Sequence, residues 1–148
     1  MSKRPFIILK SGKDQSVMRY HPWVFSGAIK KTEGNPQEGD LVNIFNNKNE
    51  YLATGHYQKS SIAVRIISFS EKEEPDRFFE RRILRAWDLR KKTGLTGDEN
   101  TNVYRLVNAE GDGLPGLIID VYGDTAVMQA HSAGMYREKK RIADILVG

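Results

Sequence analysis

The sequence predicts a mixed α and β chain: a small β-barrel followed by a partial α+β domain of helix, three-strand antiparallel meander and helix. Three observations carry that expectation. Short runs of β-branched and aromatic residues recur through the first 69 residues with turn residues between them. A polar stretch ending in proline, Ser70-Glu71-Lys72-Glu73-Glu74-Pro75, separates residues 4–74 from 75–148. Beyond it the apolar spacing becomes that of an amphipathic helix, then of three strands and a second helix.

The elements follow in order. Phe6-Ile7-Ile8-Leu9 is an apolar strand, and Ser16 to Arg19 form one helical turn that His21-Pro22 discourages from continuing. Glu38-Gly39-Asp40 turns the chain into Leu41–Phe45, whose composition allows burial on both faces. Asn46-Asn47-Lys48-Asn49 closes a hairpin onto Tyr51–Tyr57, and Ala63–Phe69 completes a closed or nearly closed barrel. In the second half, Asp76 is placed to cap a helix running to Thr93, with Gly94 as its stop. Phe79, Ile83, Ala86 and Trp87 share one face of it; Arg77, Arg81, Arg85 and Lys92 lie nearly opposite as a cationic ridge. Strands are expected over 102–110, 117–122 and 125–131, with Gly123-Asp124 as a tight turn, then a helix over 135–147 striped by Met135, Ile142 and Leu146. An end in apolar Ile145-Leu146-Val147 suggests a chain cut at an internal boundary.

Gly111, Gly113 and Gly116 spell G-x-G-x-x-G, the dinucleotide-binding pattern. That pattern works where glycines lead from a strand into a helix whose first N–H groups receive a phosphate. Here Pro115 sits in the turn and Leu117–Tyr122 reads as a second strand, so the glycines serve a hairpin that needs positive φ. Asp120 and Asp124 also come far too early for the acidic residue expected about 20 residues on.

Composition narrows the function classes. With 39% apolar and 28% charged residues the chain can bury a core. No run of about 18 apolar residues is present, so no membrane span is expected. The absence of cysteine removes disulfides and thiolate metal sites and fits a cytoplasmic location. Charge is uneven: residues 1–31 hold seven Lys or Arg against Asp14 alone, and residues 76–92 hold seven against three acids. Two basic regions point to a polyanion, RNA first among them, although a solvated face would show the same charges.

Candidate chemistry is sparse. His21, His56 and His131 lie in different elements without metal-ligand spacing. Glu110, Asp112, Asp120 and Asp124 gather around the glycine turn and read as turn formers, with Arg105 expected to pair with Glu110 or Asp112. No catalytic, cofactor or metal site is expected in this chain. Around Arg19, His21, Trp23 and Phe25 basic and aromatic residues interleave; Arg suits phosphate and exposed aromatics stack on unpaired bases. For Trp23 and Phe25 themselves, filling the barrel core is the favoured alternative.

Two blocks, Arg19-Tyr20-His21-Pro22-Trp23-Val24-Phe25-Ser26-Gly27-Ala28-Ile29 and Arg105 to Asp120, resemble the N-terminal region of bacterial large-subunit rRNA cytosine-C5 methyltransferases. Glu38-Gly39-Asp40-Leu41-Val42 is similar to the turn and strand of a PUA domain, and Ala53–Tyr57 and Phe78–Arg82 sit where that family has similar segments. The resemblance runs in order along essentially the whole chain. It implies a PUA-like RNA-binding barrel, a central α+β domain, and a C-terminal methyltransferase domain using S-adenosylmethionine that lies outside these residues.

Cytosine C5 becomes nucleophilic only after a thiolate adds at C6, and the chain has no Cys, so residues 1–148 alone are expected to be inactive. Expected partners are rRNA and the protein's own methyltransferase domain, with a homodimer left open and no membrane. Lys13, Arg19, His21, Lys30 and Lys31 are the expected RNA contacts, with Arg77, Arg81 and Arg85 as a second set. A stand-alone RNA-binding or ribosome-assembly module and an interdomain scaffold that touches no nucleic acid are the alternatives.

Overall fold

In the computed structural model, which describes residues 4–70, 75–96 and 102–147, the chain divides into two units, Met1–Glu73 and Glu74–Gly148. The first is built on β1 (Phe6–Leu9), α1 (Gln15–Met18), β2 (Trp23–Phe25), a 3-10 turn (Ser26–Ala28), β3 (Ile29–Glu33), β4 (Leu41–Phe45), β5 (Tyr51–Tyr57) and β6 (Ile62–Ser68). These strands form one sheet in the order β2-β6-β5-β4-β1-β3. β1 lies parallel to β4 and antiparallel to β3; the other pairs are antiparallel. β2 and β3 end the order, and among the described residues the sheet is a curled half-barrel.

Side-chain alternation decides what the sheet buries. Val42 and Ile44 of β4 are fully buried, whereas Leu41, Asn43 and Phe45 are half-buried on the other face. Ile7, Leu9, Val17, Val24, Ala53, Val64 and Ile66 join Val42 and Ile44 in one core. At about 1.5–3 kcal/mol for each fully buried aliphatic side chain, this cluster is the main favourable term for the unit. β2 and β3 were not expected as strands. β3 reads Ile-Lys-Lys-Thr-Glu because an edge strand shows its middle to water, and lysine there discourages further pairing.

The second unit holds α2 (Pro75–Lys92), β7 (Val103–Asn108), a 3-10 turn (Ala109–Asp112), β8 (Leu117–Tyr122), β9 (Thr125–Ala130), α3 (Ala133–Arg137) and α4 (Lys139–Val147). The sheet is a meander in the order β7-β8-β9. α2 starts at Pro75, whose fixed φ suits the first helical position, so Asp76 falls inside the first turn instead of at the cap. Gly94 (φ 82°) ends it: Leu95 N–H donates to Arg90 O (2.9 Å) and Gly94 N–H to Lys91 O (3.2 Å). Phe78, Phe79, Ile83 and Ala86 are buried, but Trp87 is not fully covered.

Two expected boundaries move. The first strand of the meander stops at Asn108, where the 3-10 turn begins. The last helix starts earlier, with Ser132 Oγ accepting from Met135 N–H (3.2 Å), and is interrupted at Glu138.

Candidate nucleic-acid interface

β2 is only three residues long and hydrogen-bonds a neighbour on one side, β6. Its middle residue, Val24, enters the core, so Trp23 and Phe25 must point the other way. Phe25 is 50% exposed and Trp23 half-buried. This corrects the expectation that both rings fill the core: the strand has one buried position, and the smaller residue takes it.

His21 precedes the strand and completes an aromatic row. Its ring lies 6.0 Å from Trp23 and 6.5 Å from Phe25, and the Trp23 and Phe25 centroids are 6.2 Å apart at 86°. His21 Nδ1 accepts from Trp23 N–H at 3.1 Å, which orients the imidazole. The backbone leading into the row is held tightly. Tyr20 takes φ 65°, and His21 N–H donates to Ser16 O at 2.9 Å. Arg19, at the end of α1, is exposed, and its side chain has no hydrogen bond or ion pair among the described residues. Arg19 stands two residues before His21 in the chain; an exposed guanidinium can take a phosphate and exposed rings a base.

The remaining expected contacts differ in what they already bind. Lys13 is exposed in the loop before α1. Lys30 and Lys31 sit on β3, at the other end of the strand order from the aromatic row. Lys30 Nζ donates to Asn47 Oδ1 (2.9 Å), and Lys31 pairs with Glu33 (2.8 Å). Arg77, Arg81 and Arg85 all lie exposed along α2. Arg85 lines a groove of about 490 Å³ with Arg82, Asp88 and Lys92 beside the glycine turn; Arg77 and Arg81 stand outside it. His56 is buried in β5 and His131 is exposed, its Nε2 3.1 Å from Gln129 Oε1.

The glycine turn runs from strand to strand, as its sequence context indicates. Gly113 (φ 72°) and Gly116 (φ 88°) use the left-handed region, whereas Gly111 does not. The space these two glycines leave is taken by the protein itself. A Cβ at Gly113 would collide with Arg82 Nη1, and one at Gly116 would lie 2.7 Å from Ser132 Oγ. The described residues of this turn therefore do not fit S-adenosylmethionine.

Arg105 pairs with Asp120 (Nε–Oδ1 2.8 Å), correcting the expected pairing with Glu110 or Asp112. The two residues are directly opposite in the β7–β8 register. The hydrogen bond that Arg105 donates to Asp120, then the charge of Asp120, pushes the pKa of the Arg105 guanidinium above its ordinary value. Asp112 instead binds Arg90 of α2.

Residues 7–69 match the family model described as a PUA-like domain. The first unit is therefore similar to a PUA-like domain. The chain is 44% identical over 147 residues to the ribosomal RNA large subunit methyltransferase I of Aeromonas salmonicida, covering 95% of this chain and 36% of that protein. It is 43% identical over 149 residues to the protein of that name from Vibrio cholerae, covering 97% and 36%. It thus spans about a third of the length of the curated relatives it matches. A solved structure described as a putative SAM-dependent methyltransferase from Streptococcus mutans shares the fold, with TM-score 0.79 at 20% identity over 95% of this chain and 36% of that one. Within the PUA-like domain, the aromatic row is the feature that residue types alone did not place on the surface. Its available signal was Val24, the one aliphatic in an otherwise aromatic alternation. Among the described residues, no helix is long and apolar enough to cross a membrane.

Proposed function

We propose that residues 1–148 are the RNA-binding part of an S-adenosylmethionine-dependent methyltransferase of large-subunit rRNA. In this reading the PUA-like domain grips rRNA through Arg19 and the His21–Trp23–Phe25 row. The observation that carries it is the outward aromatic row, on a strand whose only aliphatic faces the core, with exposed Arg19 two residues before it in the chain. The names of the relatives at 40–44% identity support the rRNA substrate and the enzyme class.

The finer assignments belong to the same proposal. Methylation at cytosine C5 would require a cysteine thiolate and an S-adenosylmethionine site, both supplied by a methyltransferase domain outside these residues. The PUA-like domain would orient the rRNA for that domain, with Arg77, Arg81 and Arg85 as auxiliary phosphate contacts. Lys13 would join the main footprint. Lys30 and Lys31 would contribute less, because each already holds an intramolecular partner. The working location would be the cytoplasm, where rRNA is modified, with or without a homodimer.

Titrating the 148-residue chain with fragments of large-subunit rRNA, followed by fluorescence anisotropy, tests the proposal. Saturable binding that Arg19→Ala weakens supports it. Absence of binding, or indifference to Arg19→Ala, overturns it.

A further inference from the structure

The outer face of the PUA-like sheet carries a second aromatic site, away from the core and formed by β1, β4 and the β4–β5 turn. Phe6, Asn43, Phe45, Asn49 and Arg4 line a cavity of about 180 Å³. Phe6 and Phe45 meet edge to face at 5.7 Å and 86°, and Phe45 continues to Tyr51 at 6.0 Å and 82°. Sites for whole drug-sized ligands are typically about 300–1,000 Å³, so this one suits a single ring system.

A polarised hydrogen-bond chain fixes the amide at the back of the cavity. Arg4 Nη1 lies 3.2 Å from Asn43 Oδ1 and Thr54 Oγ1 2.8 Å from the same atom. A guanidinium has only donors, so the Asn43 atom facing it must be the oxygen. Thr54 gives its one hydroxyl proton to that oxygen, so in the 2.6 Å contact of Tyr51 with Thr54 the tyrosine is the donor. Both lone pairs of Asn43 Oδ1 are thereby used. Asn43 Nδ2 keeps two donors that have no partner among the described residues.

We infer that this cavity binds one unpaired RNA nucleotide, its base against Phe6 and Phe45, its acceptor edge on Asn43 Nδ2, and its phosphate near Arg4. The inference rests on the RNA-binding reading above, but on different residues. It also specifies a preference. An asparagine normally reads adenine with one donor and one acceptor. Here the acceptor is committed, so a base edge presenting carbonyl oxygens, as uracil does, is favoured over adenine. A site that only stacked bases would give no such advantage to the smaller pyrimidine.

The test compares an RNA hairpin with a blunt end, a short uridine tail or a short adenosine tail, titrated into the 148-residue chain by fluorescence anisotropy. The uridine tail should bind several-fold tighter than the adenosine tail and the blunt hairpin. Asn43→Asp preserves the acceptor for Arg4 and Thr54 while removing both donors, and should abolish that preference with a loss of about five- to tenfold. Phe45→Leu should weaken both tails by about tenfold, the scale of one stacked base. Thermal melts of both variants establish that they fold, and either folded variant is sufficient to decide. Uridine binding unchanged in a folded variant, or a preference for adenosine that Asn43→Asp leaves intact, overturns the cavity assignment. In that case blunt-hairpin binding that still responds to Arg19→Ala leaves the RNA-binding reading standing. If no RNA binds the native chain, both fall.

Discussion

Arg90 of α2 and Asp112 of the glycine turn form a two-pronged ion pair, Nη1–Oδ1 at 2.6 Å and Nη2–Oδ2 at 2.8 Å, with side chains only 13% and 7% exposed. Each partner is also tied to β7. Arg90 Nε donates to Arg105 O (3.0 Å), and Asp112 Oδ2 accepts from Asn108 N–H (2.6 Å). The pair fastens the helix, the first strand and the turn together. Arg90 comes from the basic segment 76–92, outside the ridge of Arg77, Arg81, Arg85 and Lys92, and Asp112 from the acidic group around the glycine turn.

Removing one partner leaves the other charge largely buried. Asp112→Ala should destabilise the second unit by roughly 3 kcal/mol. Asp112→Asn, which keeps an acceptor for Asn108 N–H, should cost less. Urea unfolding checks this as a lower midpoint at unchanged slope.

Neighbouring residues of β2 should separate stability from binding. Val24→Ala removes a core side chain that is 2% exposed and should cost about 2 kcal/mol of stability. Phe25→Ala, at a position 50% exposed, should leave the melting temperature nearly unchanged and weaken RNA binding by about tenfold. The two losses appear in different assays, thermal melting and anisotropy.

Glycines in the PUA-like domain differ in the same way. A Cβ at Gly55 would strike Arg65 O and lie 2.7 Å from Val64 Cγ1, so backbone must move. Gly55→Ala should cost about 3 kcal/mol, near the upper end for overpacking. Gly12, at φ 76°, has nothing within 4 Å of its Cβ position, so Gly12→Ala carries only the left-handed strain of about 1–2 kcal/mol. Denaturant midpoints of the two variants give the order directly.

Much of this fold is legible in the sequence where burial imposes a pattern. β4, β5 and β6 announce themselves as short runs rich in β-branched and aromatic residues between turn residues, and α2 because its buried residues recur at helical spacing. β3 is hidden by its own exposure. The aromatic row is misread from composition because an aromatic residue suits a core and a base-stacking surface equally; only the inward position of Val24 decides between them. Arg105 was assigned to nearby acids, but its partner is set by cross-strand register, with a bulge between Arg105 and Val107. The Asn43 cavity has no linear motif at all, since β1, β4 and β5 bring its residues together.

The salt dependence of rRNA binding by the 148-residue chain, measured for native protein and Arg19→Ala, tests the central claim most directly. Each neutralised phosphate contributes a slope of about −0.7 to −0.9 in log K against log salt. Native protein should show a clear negative slope, and Arg19→Ala should reduce its magnitude by about one such increment together with lower affinity. Affinity independent of salt, or slopes and affinities identical for the two proteins, would contradict an RNA interface centred on Arg19 and the aromatic row.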